Sequence, residues 1–207
     1  MKLYEVNDMA KVGCHDCEGC SACCRGMGDT IVLDPLDIYH LTANLKCNFE
    51  QLLSTCVSLH VEDGLLLPHM VMTAEDKCFF LNKEERCNIH AFRPGLCRTF
   101  PLGRNYEDGK LTYFVVEGEC QKENRTKVKV EKWLGVSDIK QNQTFLTKWH
   151  YIKKEMKSIV LQMQGKEKEL NMYFLQLFYL TPYDEQEDFY EQFDNRHACM
   201  SEYLKNL

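Results

Sequence analysis

The sequence predicts an α+β protein. A small cysteine-rich metal-binding domain of short helices, loops and a few short strands is expected first, then a C-terminal helical segment. Three observations carry this. Eleven of the twelve cysteines fall between Cys14 and Cys120. In that half, short strand-like and helix-like patterns alternate and are broken by Gly and Pro. Beyond about residue 138 apolar residues recur at helical spacing only. The expected division is a cysteine-cluster domain over 1–130 and a helical extension over 131–207 packed on it. With 207 residues the chain can bury a core without covalent staples.

The run CHDCEGCSACC (14–24) opens the first half with five thiols in eleven residues. Gly26 and Gly28 loosen the backbone after it, and TIVL (30–33) reads as a short strand. Asp34 as N-cap and Pro35 at the first helical position start a helix that runs to about Leu45. Asn48 caps a second, over FEQLLSTCVSL (49–59). Phe49, Leu52, Leu53, Cys56 and Leu59 form its apolar stripe, which makes Cys56 a core thiol. Cys47, just before the cap, reads as structural. GLLLPHMVM (64–72) is a strand interrupted by Pro68 at a sheet edge. In CFFLNKEERCNIHAFRPGLCRTFP (78–101), Pro94 and Pro101 forbid a continuous helix. Loops and helical turns are expected there, with Phe79, Phe80 and Leu81 as local core.

After the Asp108-Gly109 turn, residues 110–120 read as a strand ending at Cys120, and KVKV (127–130) as a half-exposed one. Phe145, Trp149, Ile152, Met156, Ile159 and Met163 then mark an amphipathic helix of about six turns, ended by Gly165. Leu170, Tyr173, Phe174, Leu177 and Phe178 mark a second helix. Thr181-Pro182-Tyr183-Asp184 has the cap, proline and acid of a third start, with Phe189, Phe193, Met200, Tyr203 and Leu207 as its stripe. Such stripes are core material, which supports a helical cap on the cysteine domain or a bundle that binds a protein partner.

Composition narrows the function. A net charge of −6 disfavours a nucleic-acid partner, since binders of that class are basic. No stretch reaches the length of a membrane span. The start MKLYEVNDMAKVG has no apolar core of a secretory signal, so a cytoplasmic protein is expected. A reducing cytosol disfavours structural disulfides. Thiol catalysis needs one cysteine beside a base, or one redox pair, not five in a run with four more downstream. Metal remains. In C-x-x-C two intervening residues let the chain turn so that both sulfurs face one point. Zinc takes four thiolates at about 2.3 Å. An iron–sulfur cluster takes them from a C-x2-C-x2-C run plus a distant cysteine. Cys78, Cys87, Cys97 and Cys120 follow at steps of nine, ten and twenty-three residues. One dense run with scattered partners favours an iron–sulfur cluster of the 4Fe-4S type over one or two zinc ions. Arg93 and Arg98 flank Cys97 and are candidates to offset thiolate charge from outside the ligand set; salt bridges to Glu84, Glu85 or another carboxylate are the alternative. His90, three residues beyond Cys87, reads as a hydrogen-bonded outer partner.

The ordered set Cys17-x2-Cys20-x2-Cys23-Cys24, Cys78-Phe79-Phe80-Leu81-Asn82, Cys87-x-Ile89-His90, Arg93-Pro94-x2-Cys97-Arg98-x-Phe100-Pro101 and Cys120 resembles the YkgJ-type cysteine-cluster proteins, the CxxCxxCC zinc- or iron-chelating family. The resemblance covers about residues 14–120. It implies eight ligands: Cys17, Cys20, Cys23, Cys24, Cys78, Cys87, Cys97 and Cys120, with Cys14 a spare. Some relatives are linked to flagellin lysine methylation, so a protein-modifying enzyme resembling flagellin lysine N-methylase is an alternative. The chain lacks a glycine-rich strand–turn–helix to hold the methyl donor. A zinc-folded interaction module is a further alternative.

Overall fold

The computed structural model describes residues 1–14, 20–120, 122 and 124–207. Its elements in chain order are β1 (Met9–Gly13), α1 (Pro35–Leu45), α2 (Phe49–Leu53), β2 (Val57–Glu62), β3 (Leu65–Met70), α3 (Gly95–Thr99), β4 (Leu102–Glu107), β5 (Lys110–Val115), β6 (Thr126–Lys129), α4 (Val130–Leu134), α5 (Ile139–Gln162), α6 (Glu167–Leu175) and α7 (Phe189–Lys205). Helices and short antiparallel strand pairs therefore share the chain, and the C-terminal part is helical, as the α+β reading expects. The strands form three two-stranded sheets, β1–β6, β2–β3 and β4–β5.

Local chemistry explains the elements that were foreseen. The first helix begins on a reciprocal box: Asp37 N–H donates to Asp34 Oδ1 at 2.9 Å and Asp34 N–H to Asp37 Oδ2 at 3.0 Å. Pro35 fills the first helical position, where its missing N–H costs no helical hydrogen bond. The β4–β5 hairpin turns on Asp108 and Gly109, both at positive φ (49° and 75°), as a tight hairpin turn requires. Asp138 caps α5, accepting from Gln141 N–H at 2.9 Å.

Several elements depart from expectation. TIVL is not a strand. Only Val32 bridges, to His69, with Leu33 N–H donating to Pro68 O and Met70 N–H to Ile31 O, both at 2.9 Å. Pro68 does not interrupt β3 but lies within it, paired with Leu59. The second helix stops at Leu53 rather than running to Leu59. Ser54 and Thr55 turn their hydroxyls back onto Gln51 O at 2.8 Å, and residues 57–62 gain a full ladder with β3. Cys56 is nonetheless buried. Phe79 is 46% exposed, so only Phe80 and Leu81 are core. The 110–120 strand ends at Val115, and β1, β4 and α4 were not anticipated. The segment 181–188 is loop, and α7 starts at Phe189 on the Asp188 cap. The Arg196 guanidinium donates to the carbonyls of Leu177, Thr181 and Pro182, and Gln192 both donates to and accepts from Asp184. These bonds hold the backbone of 181–184 outside a helix. The last stripe residue is Leu204, not Leu207.

One apolar core joins both parts of the chain. It runs from Leu33, Leu41 and Leu67 to Trp149, Phe174, Phe178 and Phe193. The aromatic and methionine stripes of the C-terminal helices are thus buried within the chain itself. Tyr179 ties the π-helical turn Gln176–Leu180 to the first half, its hydroxyl donating to Leu33 O at 3.0 Å. No helix among the described residues is long and apolar enough to cross a membrane.

Asn171 is a second tie. Its Oδ1 accepts from Leu66 N–H at 2.6 Å, and its Nδ2 donates to Gly64 O and Glu167 O at 2.9 Å. Asn171→Ala leaves the hairpin's N–H and C=O without their partners, and such losses cost about 1–3 kcal/mol. The expected result is a lower urea midpoint at unchanged slope; an unchanged midpoint would contradict the role.

Candidate metal centre

Three chain segments build the centre. The first is the end of the cysteine run. Residues Ala22–Cys24 make a 3-10 turn, and Cys24 O accepts from Cys78 N–H at 2.7 Å. Gly26 N–H donates to Asp76 O at 2.9 Å, and Arg25 bridges Lys77. Residues 24–26 are thereby laid alongside residues 76–78, fifty or more positions downstream.

The second segment is a loop closed by Asn82. Its side-chain oxygen accepts from Glu84 N–H at 3.1 Å and Arg86 N–H at 2.8 Å, and its N–H donates to Arg86 O at 2.9 Å. The chain reverses so that Leu81 bridges Cys87, which brings Cys87 back toward Cys78. Glu85, at the tip of this loop, binds the first segment twice: Ser21 Oγ and Arg25 Nη2 both donate to its carboxylate, the latter at 2.6 Å.

The third is α3, which carries Cys97. Gly95 N–H donates to Asp37 Oδ1 at 2.7 Å, Thr99 Oγ1 to Gly95 O at 2.6 Å, and Trp133 Nε1 to Thr99 O at 3.2 Å. The helix is pinned from both sides.

Six thiols, those of Cys20, Cys23, Cys24, Cys78, Cys87 and Cys97, line one cavity of about 330 Å³. Much of the remaining wall is apolar, including Met27, Met70, Met72, Leu96, Phe100 and Trp133. Cys14 and Cys120 face a neighbouring crevice that shares Cys20 and Cys23 with it. Cys17 lies outside the described residues. Among the described residues, no group of three His, Cys, Asp or Glu side chains is placed to hold a single metal ion. No disulfide joins Cys20, Cys23, Cys24, Cys78, Cys87, Cys97 or Cys120 among the described residues. Cys56 is in the core, Cys47 is half-buried, and Cys199 is exposed on α7.

The electrostatics of this cavity resist thiolates that lack a cation. Burial pushes the Cys97 thiol up strongly, and the sulfur of Cys78, the Asp37 carboxylate and the sulfurs of Cys23 and Cys87 push it further. Burial also raises Cys78 and Cys87. Cys24 is driven far above the ordinary thiol range by its hydrogen bond to Cys23 and by burial. Cys23 moves the other way, down to about 7, because Cys24 hydrogen-bonds to its sulfur; Arg93 contributes more weakly. Several buried sulfurs cannot all ionise together in an apolar space. A metal cation removes that penalty, since coordinated thiols are deprotonated outright. The donor set therefore fits a thiophilic metal or cluster.

The structure separates the outer candidates. Arg93 lowers both Cys23 and Cys87. Its Nη1 donates to His90 Nε2 and to His90 O. His90 also lines the thiol cavity, so it acts beside Arg93. Arg98 does not line that cavity; its Nη2 donates to Ala91 O at 3.0 Å and it faces a second cavity across α3. The salt bridge weighed for these arginines is made instead by Arg25, with Glu85. Sequence reasoning missed the Ser21–Glu85–Arg25 clasp, although Asn82 followed by four charged residues was a visible turn signal.

Comparison with known families gives the class. Residues 16–121 match the CxxCxxCC model, described as a putative zinc- or iron-chelating domain. The match spans half of the chain, and the protein belongs to this family. Its cofactor is accordingly a metal, zinc or iron. No solved structure matches the chain.

Proposed function

We propose that the protein is a cytoplasmic iron–sulfur protein. A 4Fe-4S cluster is held by thiolates drawn from Cys20, Cys23, Cys24, Cys78, Cys87 and Cys97, with Cys17 and Cys120 completing the eight nominated ligands. Its role is structural, redox or accessory to another enzyme. The observation that carries this reading is six thiols around one largely apolar cavity of about 330 Å³. A lone zinc draws four sulfurs to about 2.3 Å from one point and leaves no space between them. A cluster brings its own irons and sulfides to fill such a space.

In this reading the chain's residues hold, shield and balance. Met70, Met72 and Trp133 keep water from the sulfurs. The Arg93 guanidinium, beside Cys23 and Cys87, offsets the negative charge of a thiolate-ligated core. His90 keeps Arg93 in place by accepting one of its N–H groups. When bound, the cluster supplies one-electron chemistry or a rigid cross-link between the three segments.

Protein purified without oxygen is expected to be brown, with a visible absorption band that dithionite bleaches. Colourless protein carrying stoichiometric zinc would overturn the cluster reading in favour of zinc.

A further inference from the structure

A second cavity lies across α3 from the thiols. It encloses about 430 Å³, and its polar wall includes Asp34, Asp37, His40, Arg98, Arg104 and Ser137. Arg93 borders both cavities. The short helix thus presents Cys97 to one chamber and Arg98 to the other.

The charges of this chamber do not close on themselves. Arg104 Nε is buried with no hydrogen-bond acceptor. Its Nη2 makes a long bond, 3.3 Å, to Thr99 Oγ1, and the guanidinium also hydrogen-bonds the Tyr106 hydroxyl. No ion pair joins Arg104 to Asp34 or Asp37 among the described residues. Arg93 Nε is likewise buried without an acceptor. Asp37 is occupied twice over, accepting from the N–H groups of Asp34 and Gly95. Asp34 uses Oδ1 for Asp37 N–H, and its Oδ2 faces the bare Cα of Gly95. A Cβ at Gly95 would lie 2.7 Å from Arg104 Nη2 and 3.7 Å from Asp34 Oδ2, so glycine keeps room for the guanidinium. Burial raises both Asp34 and Asp37, and repulsion from Asp34 raises Asp37 further, to about 8. The pair therefore carries less than two negative charges at neutral pH. Arg98 and Arg104, both lining the chamber, leave a positive surplus in a partly buried space. Buried charge of one sign is costly until it is paired.

We propose that this chamber binds a small oxyanion, a carboxylate or a phosphate group, clamped by the guanidinium groups of Arg98 and Arg104. Planar N–H forks match both oxyanions in two-bond geometry. Because Arg93 and α3 touch both chambers, an anion here sits one helix away from the thiol centre. The inference stands whether that centre holds iron or zinc.

The test is a thermal-shift titration of the metal-loaded chain with inorganic phosphate and, separately, with succinate, against sodium chloride at equal ionic strength. A saturable rise in Tm with at least one oxyanion beyond the chloride control is expected. Phosphate alone, or succinate alone, tells which source the chamber prefers. Arg98→Gln, which alters a partly exposed side chain, is expected to weaken binding about tenfold or more, as loss of a charged hydrogen bond does. Arg104→Gln should abolish it, and if that variant does not fold, Arg98→Gln still decides. No shift beyond chloride with either anion, or equal shifts in wild type and Arg98→Gln, overturns the proposal.

Discussion

Cys97→Ser is expected to lose bound metal by at least about tenfold, a minimum set by what even outer-partner changes cost, and to lose folded yield with it. Residue 97 cannot shift to compensate. Its helix is held by Asp37 at one end and by Trp133 at the other. A serine hydroxyl there is a poor ligand for a thiophilic metal and stays protonated. The remaining sulfurs would keep their mutual repulsion with a weaker cation to relieve it. Metal binding and folding are coupled where ligands come from distant segments, so the thermal midpoint should fall together with metal content. Cys199→Ser, on the exposed face of α7, should change neither. Metal analysis and thermal melts of the two variants, prepared side by side, check this. Equal metal in both would remove Cys97 from the ligand set.

Phe193→Ala is expected to be the most damaging apolar substitution. The ring is fully buried. It lies 4.6 Å from Phe145, 5.8 Å from Phe178 and 6.3 Å from Trp149, centre to centre. Removing a buried phenylalanine costs about 3–5 kcal/mol, against a total stability of about 5–15 kcal/mol for a typical domain. Because one core runs through both parts of the chain, the loss should not stay local. We expect tryptophan fluorescence and the absorption of the metal centre to melt in a single transition, shifted down together in the variant. Two separate transitions would mean that residues 1–130 and 131–207 unfold independently.

The parts of this molecule that could be read from its sequence are those governed by neighbours along the chain. The Asp34-Pro35 start of α1, the Asp108-Gly109 turn, the Asp138 start of α5 and the stripe from Phe145 to Met156 all follow from local capping, turn geometry and periodicity. The gathering of Cys78, Cys87 and Cys97 near the run was also legible, since metal-type spacing states which residues must meet. What escaped depends on partners far away. The second helix gave way at Ser54 because β3 offers residues 57–62 a ladder. The start of α7 moved to Phe189 because Arg196 and Gln192, on the following turns, bind the preceding loop. β1 carries no strong pattern of its own and exists through β6. The chamber of Arg98 and Arg104 was invisible for the same reason. Its charges sit on α1, α3 and β4, and only the folded backbone brings them together. Arg98 shows the limit of adjacency: next to Cys97 in sequence, it faces away from the thiols in space.

The most direct test is iron, zinc and acid-labile sulfide analysis of the folded protein, isolated without oxygen by size exclusion. The account predicts iron and sulfide in equal amounts, about four of each per chain for one cubane cluster, co-eluting with the folded protein. A correctly folded, unoxidised chain that contains neither iron nor zinc would contradict it.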